Sequence, residues 1–295
     1  MFDRIFASYL LQKGKVSQQN INEVFAKQEN SRARLGVIAV SEKLITIEQA
    51  NEINNLQSIY DRRFGQIAVE KNFLTKGQVE RLVSLQGNRF LLFIQSIVDL
   101  DIMTMEEIEN ELASYQLENS FTPMNLEDLK SCKVTRIMPL FLYQQSTFVQ
   151  NFCGLLVRTI TRLLDYQAYF DKPYITNKIN FEYLSMQQLE GDHSILCNIY
   201  GTDADMINAA KLFAGEKYIQ TVDDSLDALC ELINCINGMY ATELSNAGVL
   251  LDMDIPHYYS TPMTLTCDDM ICIPIHFNNC TIQVAISFDK EYNYQ

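Results

Sequence analysis

Residues 224–240 read DSLDALCELINCINGMY, and the fold of the chain depends on this stretch. At about 100° per residue, Asp227, Glu231, Asn234 and Gly238 fall within roughly 60° of arc on one helix face. The other positions are mostly Leu, Ile, Cys, Ala and Met, as in a buried helix. A buried polar group without a partner is costly, so this stripe either meets hidden partners or faces something outside the chain.

The length and composition of the chain are those of a globular protein. With 295 residues, 47% of them hydrophobic, it is long enough for two ordinary domains. It has no apolar run of the roughly 18 residues that a membrane span needs. The N-terminal sequence MFDRIFASYLLQKGK lacks the apolar core and the cleavage site of a signal peptide. We therefore expect a cytoplasmic protein without membrane insertion.

Cysteine, histidine and charge patterns exclude several classes of function. The eight cysteines form no CxxC pair and the three histidines are isolated, so we expect reduced thiols and no metal site. The net charge is −14, and residues 1–115 hold 13 basic and 15 acidic residues, so the acidic excess lies in the remainder. This charge disfavours nucleic-acid binding. No GxG and no P-loop sequence is present.

A repeat of 29 residues occupies the front of the chain. Its marks are four hydroxyl residues that follow short apolar pairs, namely Ser17, Thr46, Thr75 and Thr104. Three residues later come Asn20, Gln49, Gln78 and Glu107, which predicts three capping boxes and a weaker first one. Each unit then consists of a short helix, a tight turn and a capped second helix. Such short helices must pack on neighbours, so residues 1–118 are predicted to form one all-α repeat domain.

The middle two units carry a family resemblance. They read RLGVIAVSEKLITIEQANEINNLQ (34–57) and RFGQIAVEKNFLTKGQVERLVSLQ (63–86), five residues apart. This tandem resembles the N-terminal domain of type II secretion and pilus assembly ATPases (MshE-type), in which two RLG-led motifs can bind cyclic di-GMP. The resemblance implies ligand-binding roles for six matching residues: Arg34, Leu35, Gly36, Arg63, Phe64 and Gly65.

The tandem departs from the pattern of that family at several positions. Lys43 and Asn72 stand where the family has a turn glycine, and Ala50 and Asn54 replace helical leucines. Repeat arrays usually bind other proteins, and a fold can outlive its ligand site. A protein-interaction module and a cyclic di-GMP receptor therefore both remain open for this half.

Residues 116–128, QLENSFTPMNLED, break the periodicity and predict a domain boundary. Beyond them, residues 140–166 predict one long amphipathic helix, and residues 177–190 fit a strand only ambiguously. Residues 193–201 predict a strand, and a helix over 203–213 is capped by Thr202 or Asp203.

The end of the chain is rich in β-forming residues. Residues 263–288 read MTLTCDDMICIPIHFNNCTIQVAISF and predict three short strands separated by DD and NN turns. Strands and long helices that do not alternate as βαβ units indicate an α+β fold. We expect this second domain to cover residues 130–290.

The helix quoted first carries the second resemblance. Asp227, Glu231 and Asn234 form a D-x3-E-x2-N pattern, followed by Gly238 and by Pro256, 22 residues after the Asn. This pattern resembles the signature of the CheC/CheX/FliY chemotaxis phosphatases. Because residues 151–166 contain no ExxN, the chain is more similar to CheX, with one site per subunit, than to CheC. The resemblance implies a CheX-like homodimer that dephosphorylates the phospho-aspartate of a CheY-like response regulator.

Residue roles follow from that resemblance. Asn234 would be the catalytic group that orients a water, and Glu231 would pair with a lysine of the regulator. Asp227, Gly238 and Pro256 would support them. The chain itself would bind no cofactor apart from the open question of cyclic di-GMP, because Mg²⁺ belongs to the active site of the regulator. Two alternatives stay open: a protein that binds the regulator without catalysis, and a cyclic di-GMP receptor with the second domain as its output. The polar stripe would otherwise be only the solvated edge of a buried helix.

Overall fold

The computed structural model describes residues 1–28, 33–60, 62–277 and 280–295. The chain divides into two compact units, of which one is Phe2–Arg136 and the other contains Ile137–Gln295. The first is helical, and the second combines three longer helices with an antiparallel sheet. This α+β arrangement confirms the predicted fold class.

The N-terminal unit contains the four predicted helix pairs. They are α1 (Phe2–Gln12) with α2 (Gln18–Gln28), α3 (Leu35–Ser41) with α4 (Ile47–Tyr60), α5 (Phe64–Glu70) with α6 (Lys76–Ser84), and α7 (Arg89–Asp99) with α8 (Met105–Glu118). The hydroxyl of Ser17 accepts from the backbone N–H of Asn20, and the side chain of Asn20 accepts from the N–H of Ser17. The other three pairs make the same reciprocal bonds, so the first box is as complete as the rest.

Each turn between paired helices has a residue in the left-handed region of the backbone map. The four are Gly14 (φ 66°), Lys43 (55°), Asn72 (56°) and Asp101 (52°), again 29 residues apart. Only the first is the glycine that this conformation favours. The backbone repeat is therefore more regular than the sequence repeat.

The region expected to be a linker is partly helical. Helix α9 (Pro123–Lys130) begins at Thr122, whose hydroxyl accepts from the N–H of Asn125 at 3.2 Å. It packs on α1, and the compact unit runs to Arg136 in place of the expected limit at residue 118. This fifth capping box was not predicted because it lies outside the 29-residue period. Pro123 occupies the first helical position, where the backbone N–H that proline lacks has no partner within the helix. The short helix α10 (Val134–Phe141) follows.

The long helix predicted over residues 140–166 is shorter than expected. Helix α11 spans Thr147–Leu163, and the hydroxyl of Ser146 caps it by accepting from the N–H of Val149. Thr202 likewise caps α12 (Asp203–Ala214), which decides between the two candidate caps. Helix α13 spans Val222–Ser245 and carries the polar stripe.

Nine strands form one antiparallel sheet in the described part of this unit. They are β1 (Tyr169–Phe170), β2 (Tyr174–Phe181), β3 (Tyr183–Gly191), β4 (Ile195–Gly201), β5 (Leu251–Met253), β6 (His257–Tyr259), β7 (Met263–Phe277), β8 (Cys280–Phe288) and β9 (Tyr292–Tyr294). The order is β1-β7-β8-β4-β3-β5, with β2 and β9 also paired to β7 and β6 to β3. The ambiguous segment 177–190 thus contributes to two strands, β2 and β3.

The predicted turn at Asp268 and Asp269 is wrong. Strand β7 continues through both residues, and its pairing with β2 shifts register opposite Thr176 and Lys178 as in a β-bulge. The N–H of Asp269, whose φ is 55°, is satisfied by the side chain of Asn177 at 3.1 Å. Two strands therefore replace the three expected. The predicted NN turn, Asn278 and Asn279, lies outside the described residues.

Side chains alternate between the two faces of the sheet. Along β3, the side chains of Ser185 and Gln187 form hydrogen bonds with residues of α13. Met186, between them, points to the opposite face of the sheet and contacts Tyr294. Helix α13 packs on β3 and on α11 and α12. One face of α13 is thereby buried and the other remains accessible, which is the arrangement that positions the site.

Candidate functional site

Helix α13, which carries the polar stripe, is anchored by hydrogen bonds at its start and near its end. Thr221 caps the helix, and the side chain of Asp224 accepts from the N–H of Thr221 at 2.9 Å. Further along, Tyr240 is 1% exposed and donates from its hydroxyl to the carbonyl of Phe148 at 2.8 Å. These bonds anchor α13 at its first residue and beyond the last residue of the stripe.

The stripe faces outward at one end and meets hidden partners at the other. Asp227 and Glu231 are exposed, and neither forms an ion pair with any residue that the structure describes. Asn234 is half-buried. A Cβ added at Gly238 would meet Met253 only at an ordinary distance of 3.7 Å. The carboxylates are thus available to an external partner, while the amide is held from within.

Asn234 is held by a buried carboxamide network. Gln187, which is 1% exposed, donates from Nε2 to Oδ1 of Asn234 and to the backbone carbonyl of Asp254, both at 2.8 Å. Its Oε1 accepts from Nδ2 of Asn237 at 2.9 Å. Asn237 is fully buried, and its Oδ1 has no hydrogen-bond partner among the described residues.

The chemistry of these groups fixes the orientation of all three amides. A backbone carbonyl can only accept, so the NH₂ of Gln187 must face Asp254. Its second hydrogen then goes to the oxygen of Asn234, and its own oxygen takes a hydrogen of Asn237. Nδ2 of Asn234 is consequently directed away from Gln187, and no described residue accepts a hydrogen bond from it. Asn234 presents a neutral donor at the surface.

Gln187 and Asn237 were missed by sequence reasoning. Gln187 lies 47 residues before Asn234, so its contact with α13 depends on strand pairing that no local pattern reveals. Asn237 had a weak signal, because it lies three residues after Asn234 and faces the same side of a helix that is otherwise apolar.

The loop between β5 and β6 borders the stripe. It contains Asp254, whose backbone carbonyl accepts a hydrogen bond from Gln187, and the half-buried Pro256. Three apolar side chains around it are accessible: Leu250 is 66% exposed, Met253 42% and Ile255 77%. Several apolar side chains at the rim of a polar site are typical of a protein-binding surface.

Thiols near the site differ sharply in accessibility. Cys230 is buried on α13, its Sγ donates to the carbonyl of His257 at 3.2 Å, and burial raises its pKa to about 11. Cys235, next to Asn234, is exposed. Of the remaining cysteines, Cys132 is half-buried and the others are buried. No cluster of metal-binding side chains is found among the described residues, and none of the helices described there is long and apolar enough to cross a membrane.

The predicted ligand residues of the N-terminal unit are used largely within the chain. A Cβ added at Gly36 would lie 2.9 Å from the ring of Phe64, and one at Gly65 would lie 2.6 Å from Val79. Both glycines therefore allow close helix packing. Leu35 packs against the core.

The two arginines occupy equivalent positions as N-cap residues of α3 and α5. Arg34 pairs with Asp99 at 2.9 Å, whereas Arg63 is exposed. The two motifs meet where Gly36 faces Phe64, but a shared phosphate site remains a prediction.

Comparisons with known proteins give a partial likeness. No family model matches the chain, and no curated protein matches it either. Among solved structures, the chain is similar to a putative chemotaxis protein from Desulfovibrio vulgaris Hildenborough, at 19% identity and a TM-score of 0.42, covering 48% of this chain and 97% of that one. It is also similar to a chemotaxis protein CheX from Desulfovibrio desulfuricans, at 18% identity and a TM-score of 0.42, covering 48% and 99%. A third is the CheX of a CheX–CheY–BeF3–Mg²⁺ complex from Borrelia burgdorferi, at 16% identity and a TM-score of 0.41, covering 49% and 99%.

Proposed function

We propose that this protein hydrolyses the aspartyl phosphate of a CheY-like response regulator through Asn234 and Glu231. The observation that supports this most directly is the outward Nδ2 of Asn234, with its Oδ1 held by Gln187 and the exposed Glu231 one helical turn before it. The D-x3-E-x2-N resemblance gives the class of partner.

Such a site suits phosphoryl transfer. The regulator supplies the phospho-aspartate and its own Mg²⁺, so the reaction lacks only a well-placed water. The transition state is largely dissociative, and positioning matters more than a strong base. Nδ2 of Asn234 can donate to a phosphoryl oxygen or a water, and Oδ1 keeps a second lone pair beyond the bond to Gln187. A hundredfold acceleration requires only about 2.7 kcal/mol.

The apolar residues around the β5–β6 loop support a docking role for the same face. Leu250, Met253 and Ile255 add accessible apolar area on the side of the stripe that the loop borders, and Glu231 adds a charge that a lysine of the regulator can meet. Asp227, one further turn away, would act through support or steering.

The test is the decay of phosphorylated CheY-like regulators from the same cell, with and without this protein. Asn234→Ala should abolish the acceleration while regulator binding stays close to wild type, with only a modest loss of thermal stability because Nε2 of Gln187 loses one of its two acceptors. Asn208→Ala, an exposed asparagine on α12, is the matched control and should retain full activity. Binding without any acceleration by the wild-type chain would instead support the non-catalytic alternative, and full activity of Asn234→Ala would refute the mechanism.

We infer a targeting or sensory role for the N-terminal unit. Its surface exposes apolar side chains, including Ile59 at 69%, Tyr60 at 63% and Leu117 at 79%, which favour a protein partner. Titration with cyclic di-GMP distinguishes this role from nucleotide binding. Since both motif glycines are packed and Arg34 is paired, we expect no binding heat.

A further inference from the structure

We propose that Gln187 is the positioning residue of this site, and that its carboxamide sets the rotamer and the orientation of the Asn234 amide. The inference rests on the proposed function for its catalytic consequence, but the geometry that carries it is that of the chain alone. Gln187 is the central residue of a network that joins β3, α13 and the β5–β6 loop.

The network has the features of a device for orientation. An isolated asparagine amide can rotate by 180° about its last bond at little cost, which exchanges donor and acceptor. The bond from Gln187 removes this freedom, because the flipped amide would bring two donors together. The flip of Gln187 is prevented in turn by the Asp254 carbonyl and by Asn237. Asn234 therefore offers its donor to the outside in a single state.

Stability alone does not account for this network. Gln187 and Asn237 are buried where β3 packs on α13, and Oδ1 of Asn237 is left without a partner in the described structure. An unsatisfied buried acceptor costs about 1–3 kcal/mol, whereas apolar residues of similar shape would cost little or nothing. What the network provides is a fixed orientation of the Asn234 amide, the member of the network that reaches the surface.

The network also connects Asn234 to the docking surface. The two Nε2 hydrogens of Gln187 bind the amide of Asn234 and the loop carbonyl of Asp254, and Ile255 next to that carbonyl is 77% exposed. A regulator bound against this loop would therefore contact a segment that is hydrogen-bonded to the same Gln187 carboxamide that positions Asn234.

The first experiment replaces Gln187 with methionine, which has a similar volume and no amide group. Gln187→Met should lower kcat for regulator dephosphorylation by about tenfold or more, since small misplacements are costly in positioned catalysis. The KM should stay within about twofold, because the exposed contacts remain. In the Asn234→Ala background the same substitution should have no further effect on rate.

A second variant separates positioning from folding. In Gln187→Met/Asn237→Leu the buried amide that lost its partner is also gone, so stability should recover while kcat stays low. Recovery of kcat together with stability, or wild-type kcat in the single variant, would overturn the proposal.

A third measurement is independent of activity. ¹⁵N relaxation of the Asn234 side-chain amide, assigned by its loss in Asn234→Ala, should show an ordered group in the wild type and a mobile one in both Gln187 variants. Equal order in all three would overturn the positioning role. If the wild type accelerates no regulator and yet this difference is found, the proposed function fails while the positioning stands.

Discussion

Glu231 is expected to contribute by charge. Glu231→Gln should weaken regulator binding and lower activity, because it removes one member of a charge pair across the interface. Measured affinity should fall with rising salt in the wild type and fall less steeply in the variant. Asp223→Asn makes the same charge change on the first turn of α13 and should keep the wild-type slope. Equal slopes for wild type and Glu231→Gln would count against the pairing.

Glu231 and Asn234 differ in how much of their setting a sequence can reveal. Helical spacing places both on one face, because their relation is local. The orientation of the Asn234 amide depends on Gln187, a residue on another element whose register no pattern predicts. Residue types at a site can therefore be read from the sequence, whereas the direction in which an amide points cannot.

Among elements, the helix pairs of the N-terminal unit were the most predictable. Capping boxes are made within four residues, so Thr46, Thr75 and Thr104 could be read directly. Strand β7 was less predictable, since Asp268 and Asp269 favour a turn locally but pairing with β2 and a bond from Asn177 keep the strand continuous. Tertiary pairing overrides local preference there.

The turn at Lys43 offers a test of stored strain. A lysine with φ of 55° is in a conformation that costs an L-residue about 1–2 kcal/mol. Lys43→Gly should therefore stabilise the N-terminal unit by roughly 0.5–1 kcal/mol after the entropic cost of glycine. Asn72→Gly, at the equivalent turn, should change less because asparagine tolerates this region. Urea denaturation measures both, and a loss of stability in Lys43→Gly would contradict the expectation.

Asp205 links α12 to β8 and should give the fold an acid-sensitive element. Its carboxylate accepts from the Thr281 N–H at 3.0 Å and from the Thr202 hydroxyl at 2.7 Å. Burial raises the pKa of Asp205, but the hydrogen bonds from Thr202 and Thr281 outweigh it and hold the pKa of the carboxyl below its ordinary value. The stabilisation is therefore complete above the ordinary pKa and is lost as pH falls through the lower folded value.

The measurement for Asp205 is the free energy of unfolding from urea melts at several pH values. Asp205→Asn should be less stable near neutral pH and should lose less stability below about pH 4 than the wild type. Asp268→Asn, at an exposed position, should follow the wild-type curve. A variant with an unchanged acid limb would refute this role of Asp205.

For the whole molecule, the two compact units should be separable. Residues 2–136 should unfold cooperatively as an all-α fragment in circular dichroism, because α9 packs on α1 within that unit. A fragment ending at residue 118 removes α9 and should melt at lower temperature. A gradual melt or a β-rich spectrum of the 2–136 fragment would refute the repeat interpretation.

Dimerisation through a sheet edge, where Tyr174 and Ile175 of β2 are exposed, stays a prediction that light scattering can test.

The accessible thiol of Cys235 gives the protein a native site for attaching a fluorescent dye. Thiolate is the species that reacts with maleimides, and burial raises the pKa of Cys197 to about 12 and that of Cys230 to about 11 while also shielding them. A dye should therefore attach first at Cys235, one residue from Asn234, without any engineered cysteine. Its emission would report arrival of a regulator at the stripe in real time, and a bound regulator would in turn protect this thiol from labelling.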